Sequence, residues 1–277
     1  MKTVMLALAL VPGLAMADGL VDATHFNDAY GNTGLYAVGY QQEVAGFALS
    51  AGAFEYTSNT ETTSDSMTGQ YVGVSRRFSN ALRVKSRLYL NQSGTDFGNV
   101  TVFGETESGI SHEESCERDF ASLDTGTYFQ GCALSVGMTK GDVYGSVGVA
   151  KYAFSDDNTR DVAVLRLGYN ITEAATVEVF SKRTRDSEPS PLYFSPEEFT
   201  STRIMARYAF TPADNLSVKV GAGGGPESIN GYDATAKYAD ILIRYDHRNV
   251  SLFLKAERKW SPGYAYNYGT MNVAIHF

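Results

Sequence analysis

The feature that most constrains the fold is a two-residue alternation of apolar and polar side chains, repeated in short segments along the chain. It is clearest in residues 82–90, where four aliphatic residues alternate with Arg83, Lys85, Arg87 and Tyr89. A helix would scatter these two sets around its circumference, whereas a strand sends them to opposite faces. Each such strand therefore has one face suited to an apolar environment and one that carries charge.

Alternating segments recur to the end of the chain. They span 18–28, 32–42, 44–56, 71–78, 82–90, 126–138, 143–154, 162–171, 176–185, 200–210, 216–223, 235–245, 250–260 and 264–277. We predict an all-β chain of 14 antiparallel strands. Twelve is the alternative, because the first segment is weak and 143–154 does not show which of its faces is apolar.

The connections between these segments fall into two classes. Short ones lie at 140–142, 172–175, 211–215 and 246–249, and they alternate with longer ones at 91–125, 155–161, 186–199 and 224–234. Short turns at one end and long loops at the other are typical of transmembrane β-barrels of the bacterial outer membrane. The glycine-rich stretch 221–226 follows a strand and ends in proline, so we interpret it as a strand end entering a loop.

The last strand supports the same prediction. Residues 264–277 end the chain with Met271, Val273, Ile275 and Phe277 in one alternating row. This row resembles the closing strand of a bacterial outer-membrane β-barrel, where it also serves as the assembly signal. The resemblance implies the bacterial outer membrane as location, membrane lipid and lipopolysaccharide as surroundings, and the barrel-assembly machinery as a partner.

The N-terminus predicts export. Lys2 precedes an apolar run, and Ala15-Met16-Ala17 has the small-x-small pattern that signal peptidase cleaves after. We expect residues 1–17 to be a cleaved signal peptide and residues 18–277 to form the barrel.

The net charge of the chain argues against nucleic acid as a partner. This charge is -8, whereas binding to nucleic acid requires a basic face, so we expect no nucleic-acid partner. Seven of the acidic residues lie between Glu105 and Asp124, which indicates a hydrated loop at the cell surface or, alternatively, a divalent-cation or lipopolysaccharide role.

Cysteine usage predicts one cross-link. Cys116 and Cys132 are an even count in a chain predicted to be exported, so a disulfide is expected, tying the acidic loop to the following strand. Their spacing fits no zinc site, and we predict neither a metal nor a cofactor.

Charged residues opposite the apolar rows are predicted to line the lumen, because a basic side chain facing lipid at the bilayer midplane costs about 2–4 kcal/mol. They are Arg83, Lys85, Arg87, Arg166, Glu178, Arg203, Arg207, Asp240, Arg244, Lys255 and Glu257. This wall predicts either a network that fills the barrel or a water-filled path that favours anionic solutes.

Catalysis has little support. His112, beside Ser111 and Glu113, is the histidine best placed for an outer-membrane hydrolase, but neighbouring residues on a loop do not hold a catalytic triad. We therefore expect no enzyme, with a hydrolase kept as an alternative.

A short motif bears on the solute. The stretch Leu192-Tyr193-Phe194-Ser195-Pro196-Glu197-Glu198-Phe199 is similar to the Y-F/Y-S-P-x-x-Y/F stretch of YaiO-type barrels and of the terminal barrel in bacterial cellulose-secretion proteins. The resemblance implies polysaccharide export or association with a surface polysaccharide. The predicted function is a passive channel or an export pore for small or polysaccharide solutes, and a non-conducting structural or surface-interaction barrel is the alternative.

Overall fold

The chain forms sixteen β-strands. The computed structural model describes residues 18–28, 31–60, 63–79, 81–91, 94–262 and 264–276. In chain order the strands are β1 Asp18–Asp28, β2 Gly31–Val44, β3 Phe47–Asn59, β4 Ser64–Ser79, β5 Leu82–Asn91, β6 Phe97–Glu105, β7 Ile110–Ser122, β8 Thr127–Lys140, β9 Val143–Phe154, β10 Thr159–Asn170, β11 Ala175–Asp186, β12 Phe199–Ala213, β13 Leu216–Ile229, β14 Tyr232–His247, β15 Val250–Ser261 and β16 Tyr264–Ile275. Within the described ranges, no helix is long and apolar enough to cross a bilayer.

The strands close into one antiparallel barrel in which each pairs with its neighbours in sequence. Closure is made by β1 and β16, which pair from Gly19 opposite Ile275 to Asn27 opposite Asn267. A closed barrel pairs the backbone groups of every strand with those of its neighbours, which is what a bilayer demands of a spanning sheet. The all-β, antiparallel barrel prediction is therefore confirmed.

The predicted strand number is wrong, since the barrel has sixteen strands and neither fourteen nor twelve. The two extra strands, β6 and β7, lie in the segment 91–125 that its acidity suggests is a surface loop. The outward row of β7 includes His112, Glu114 and Arg118, so this strand lacks the apolar alternation by which the others can be recognised. Its backbone nevertheless pairs along its length with β6 and β8.

The longer predicted connections are also shorter than expected, with one exception. The glycine-rich stretch 221–226 does not enter a loop but lies within β13, and a two-residue turn, Asn230–Gly231, joins β13 to β14. Both turn residues have positive φ, 50° and 83°, the left-handed conformation that tight hairpins use. The exception is the connection 187–198, at the end opposite the chain termini. We call this the extracellular end, because outer-membrane barrels carry their longer loops there.

The two faces of the sheet differ as a membrane barrel requires. The outward row includes Val147, Val149 and Ile204, which are 58%, 61% and 56% exposed, and these side chains suit lipid. Most of the buried apolar residues instead lie inside the barrel, where Phe54, Tyr89 and Phe97 form the centre of an aromatic cluster on β3, β5 and β6. The rings of Tyr89 and Phe97 stack with centroids 4.6 Å apart. One side of the lumen is thus packed with rings.

Cys116 and Cys132 form the predicted disulfide. They are directly opposite each other on β7 and β8, with Cα atoms 4.0 Å apart, and their ladder neighbour Leu134 is among the exposed outward residues. The bond therefore joins two adjacent strands on the outer wall, and does not tie a loop to a strand as predicted.

Candidate functional site: the lumen wall

The ladder register fixes which side chains face inward, because residues opposite each other on neighbouring strands share a face. On β5, Leu88 is exposed on the outer wall and pairs with Val72, so the alternate residues Arg83, Lys85 and Arg87 point inward. Carrying this register around the barrel puts the remaining predicted residues on the same inward face: Arg166 on β10, Glu178 on β11, Arg203 and Arg207 on β12, Asp240 and Arg244 on β14, and Lys255 and Glu257 on β15.

Most of these charges neutralise one another. The guanidinium of Arg207 lies 3.1 Å from Glu178 and 2.8 Å from Asp240, and Arg166 lies 3.5 Å from the same Glu178. The side chains of Glu178 and Asp240 are only 5% and 10% exposed. Charges this well buried need partners, and Arg207 supplies one to each.

A glycine makes the Arg207–Asp240 pair possible. The two residues are on β12 and β14, and Gly221 of β13 lies between them in register. A Cβ atom on Gly221 would lie 2.4 Å from Asp240 Oδ1 and 2.8 Å from Arg207 Cγ. The bare backbone therefore lets the two side chains meet over the intervening strand.

Sequence reasoning missed several members of the wall. Lys259 pairs with Glu227, and both are almost fully buried. Lys259 continues the inward row of Lys255 and Glu257 by two residues, which is a signal that alternation alone could have supplied. Glu227 lies in the segment 224–234, which the sequence predicts to be a loop. Asp22, which pairs with Arg87 at 2.5 Å, lies in the weak first segment.

At the periplasmic end of the lumen, a smaller share of the positive charges is paired with carboxylates. A cavity of about 540 Å³, which we call the basic cavity, is lined by Asp22, Arg83, Lys85, Arg87 and Glu113 among others. Arg87 is paired with Asp22, but no carboxylate of the described residues lies within ion-pair distance of Arg83 or Lys85. These two side chains are the exposed positive charges of this cavity.

At the extracellular end, the connection 187–198 folds against the inner wall. Asn158 Nδ2 lies within hydrogen-bond distance of three acceptors, the carbonyl oxygen of Glu188 at 2.8 Å, Tyr193 Oη at 3.1 Å and Ser195 Oγ at 2.9 Å. The Tyr193 ring stacks on Phe154 with centroids 4.6 Å apart. The segment resembling YaiO-type barrels is therefore an ordered part of the mouth.

Two further contacts hold the connection 187–198 and the residues around it in place. The Arg160 guanidinium donates to both carboxylate oxygens of Asp186, at 2.7 and 2.6 Å, at the point where β11 ends. Burial raises the pKa of the Tyr193 phenol, which donates a hydrogen bond to Asp156 at 3.1 Å. The phenol therefore stays protonated and able to donate at neutral pH.

Two cavities lie at this end of the lumen. The outer one, of about 490 Å³, is lined by Phe26, Tyr56, Phe120, Phe129, Phe154, Tyr193 and Phe194, by the charged residues Asp124 and Arg160, and by smaller residues. The inner one, of about 410 Å³, is lined by Phe26, Phe180, Phe194, Phe199, Tyr238, Tyr266 and Tyr268 together with charged residues. Phe26 and Phe194 border both.

The histidine site expected for a hydrolase is not assembled. His112 points outward on β7, whereas strand alternation turns its neighbours Ser111 and Glu113 inward. The three side chains therefore lie on opposite faces of the barrel wall. Across the part of the chain that is described, no group of three or more His, Cys, Asp or Glu residues is arranged to hold a metal ion.

The predicted assembly row lies on the outer wall as far as it is described. Met271, Val273 and Ile275 pair with Ala23, Val21 and Gly19 of β1 along the closing seam. Phe277 and the predicted signal peptide, residues 1–17, lie outside the described residues.

Comparison with known proteins identifies the fold. No family model matches the chain, and no curated protein sequence matches it. A solved structure described as a bacterial polysaccharide outer membrane secretin superposes with a TM-score of 0.74 at 13% identity, covering 95% of this chain and 98% of that one. Pseudomonas aeruginosa OccK7 (OpdD) superposes with a TM-score of 0.50 at 10% identity, covering 95% and 99%. The chain has the fold of a single-chain bacterial outer-membrane β-barrel, in agreement with the predicted outer-membrane location and lipid surroundings.

Proposed function

We propose that this barrel is a passive outer-membrane channel or export pore with a preference for anionic solutes. The observation that carries the proposal is the closure of sixteen strands around a charged inward face. Barrels of sixteen to eighteen strands leave an aqueous channel, whereas eight strands leave an interior that side chains fill. The correction from fourteen strands to sixteen therefore strengthens the proposal.

The preference for anions comes from charges that lack partners. Arg203 and Arg207 are held by Glu257, Glu178 and Asp240, so their fields are largely cancelled. Arg83 and Lys85 stay uncompensated by any described carboxylate and are exposed to the basic cavity. They raise the local anion concentration at the periplasmic end.

The test is ion selectivity in planar lipid bilayers, measured as reversal potential across a salt gradient. We expect an anion preference at 0.1 M salt that weakens at 1 M, because the Debye length falls from about 10 Å to about 3 Å. The double variant Arg83→Gln/Lys85→Gln reduces the preference. The matched control Lys151→Gln/Arg183→Gln removes two positive charges from the outer wall and leaves selectivity unchanged. A folded protein without conductance contradicts the pore, and selectivity unchanged by the lumen variant contradicts the role of these two residues.

A second candidate is a non-conducting structural or surface-interaction barrel. Its supporting observations are the aromatic cluster and the segment 187–198, both of which occupy the lumen. Shortening the segment distinguishes the two functions. A plugged barrel begins to conduct after the deletion, whereas an open pore conducts before it.

We further propose that the protein is not an enzyme, which the separation of His112 from Ser111 and Glu113 by the barrel wall supports. Lipopolysaccharide around the outer wall and the barrel-assembly machinery at the closing strand remain proposed partners. A polysaccharide partner is supported by the motif in 192–199 and by the secretin likeness in fold.

A further inference from the structure

The aromatic residues of the lumen are concentrated in the extracellular half. The outer and inner cavities at that end share Phe26 and Phe194, so the rings that line one cavity adjoin those that line the other. We call this surface the aromatic tract and define it by Tyr56, Phe120, Phe26, Phe194, Tyr266 and Tyr268. The basic cavity at the periplasmic end, by contrast, contains only Tyr89 and Phe103 among its lining aromatic residues.

The tract adjoins the packed aromatic cluster but is more exposed than the cluster's centre. Phe26, Tyr56, Phe120 and Phe194 are half-buried, whereas Tyr71 of the cluster is 1% exposed. Tyr56 and Phe120 border the cluster, where each makes a T-shaped contact with Phe97 at a centroid distance of 5.7 Å. A ring that fills a core is covered on both faces, so partial exposure inside a cavity leaves a surface for a ligand.

In the inner cavity, charged residues line the tract together with the aromatic rings. The inner cavity is lined by Lys182, Arg203, Lys255 and Lys259, against Glu257 as the one acidic lining residue. Arg203 is paired with Glu257 and Lys259 with Glu227, but Lys182 and Lys255 form no ion pair within the described residues. The site therefore combines aromatic ring faces with two lysine side chains that have no carboxylate partner among the described residues.

This combination selects a chemical class. A pyranose ring has an apolar C–H face that stacks on an aromatic ring and a rim of hydroxyls that hydrogen-bond to polar groups. Asn32, Thr33 and Ser58 supply such groups in the outer cavity. A carboxylate on the sugar pairs with an ammonium in the inner cavity. A tract that extends through two cavities suits several linked rings better than one small solute.

We propose that the aromatic tract binds an acidic polysaccharide, with pyranose rings on its aromatic residues and carboxylates near Lys182 and Lys255. The inference names the solute class of the proposed pore and rests on that function. Loop segment 191–194 forms one side of the site, which gives the ordered motif at the mouth a role in holding the chain in place.

Calorimetry on the refolded full-length barrel in detergent tests the proposal with three hexamers. Hexagalacturonate has rings and carboxylates, cellohexaose has rings alone, and hexaglutamate has carboxylates alone. We expect hexagalacturonate to bind about tenfold more tightly than either of the others, since it alone engages both parts of the site.

Two variants separate the contributions. Tyr56→Leu/Phe194→Leu keeps apolar volume but removes ring faces. We expect it to weaken the binding of both sugars about tenfold and to leave the binding of hexaglutamate unchanged. Lys182→Gln/Lys255→Gln weakens the binding of hexagalacturonate and leaves that of cellohexaose unchanged. Phe253→Leu, an inward aromatic outside the tract, is the matched control and changes none of the three.

The outcomes distinguish the inference from the pore on which it rests. Equal affinity for hexagalacturonate and hexaglutamate, or sugar binding that survives the leucine variant, overturns the proposed site. A barrel that conducts ions but binds no sugar overturns the site and leaves the pore. A barrel that binds hexagalacturonate as expected but carries no current overturns the pore and leaves the site.

Discussion

Replacing Arg207 tests whether the lumen wall is held together by buried ion pairs. Arg207 is the described ion-pair partner of Asp240, which is 10% exposed, and it shares Glu178, which is 5% exposed, with Arg166. In Arg207→Gln, Glu178 keeps Arg166 at 3.5 Å and the hydroxyl of Tyr144 at 3.2 Å. The uncompensated charge that remains is therefore mainly that of Asp240.

Breaking a buried pair by removing one partner costs about 3–5 kcal/mol in proteins. Because Glu178 retains partners, we expect the low end of this range, about 3 kcal/mol, which lowers the folding equilibrium constant by roughly 150-fold. The double variant Arg207→Gln/Asp240→Asn removes both charges and recovers most of this loss, since the penalty arises from the orphaned carboxylate.

Equilibrium unfolding by guanidinium in lipid bilayers measures this change. Trp260, the only tryptophan of the chain, faces outward near the extracellular end and reports loss of lipid contact. The control is Arg183→Gln, whose partner Glu198 and whose own side chain are 42% and 56% exposed, so the expected loss is at most about 1 kcal/mol. Equal losses in Arg207→Gln and Arg183→Gln, or no recovery in the double variant, would refute the buried-pair reasoning.

Two further predictions concern assembly and cross-linking. Reduction of the Cys116–Cys132 disulfide, or the Cys116→Ser/Cys132→Ser variant, should lower the unfolding free energy by about 3 kcal/mol, because the bond closes a segment with a sequence separation of 16; identical denaturation midpoints with and without reductant contradict this. Deletion of Phe277 should lower outer-membrane yield far more than Phe277→Tyr, because the terminal aromatic extends the row of Met271, Val273 and Ile275; equal yields of the two variants count against an assembly role.

Alternation predicts the barrel because it reports a physical boundary between lipid and water. Where that boundary is sharp, as on β5 with Leu88 outside and Arg87 inside, the sequence determines both the strand and its faces. On β7 the outward positions include Glu114 and Arg118, so the boundary is absent from the residue pattern and hydrophobicity identifies no strand. Only pairing with β6 and β8 reveals it.

The faces of charged residues are predictable for the same reason, whereas their partners are not. Arg207 meets Asp240 across Gly221 because three strands are in one register, and register depends on hairpin geometry beyond the pattern of any single strand. Likewise, Asp22 and Arg87 are 65 residues apart in sequence, and their side chains meet inside the lumen. The pattern of either strand alone does not predict this pair.

The distinction between facing the lumen and being paired there changes what the basic residues can do. A lumen assignment alone makes Arg83, Arg87 and Arg207 equivalent sources of anion preference. In the structure, Arg87 is paired with Asp22, and Arg207 is paired with two carboxylates. Replacing either arginine leaves a carboxylate without this partner, so it lowers the stability of the fold as well as changing the electrostatic field of the lumen. Arg83 and Lys85 can be neutralised without orphaning a described partner. We therefore attribute the proposed anion preference to these two residues and the stability of the wall to the ion pairs.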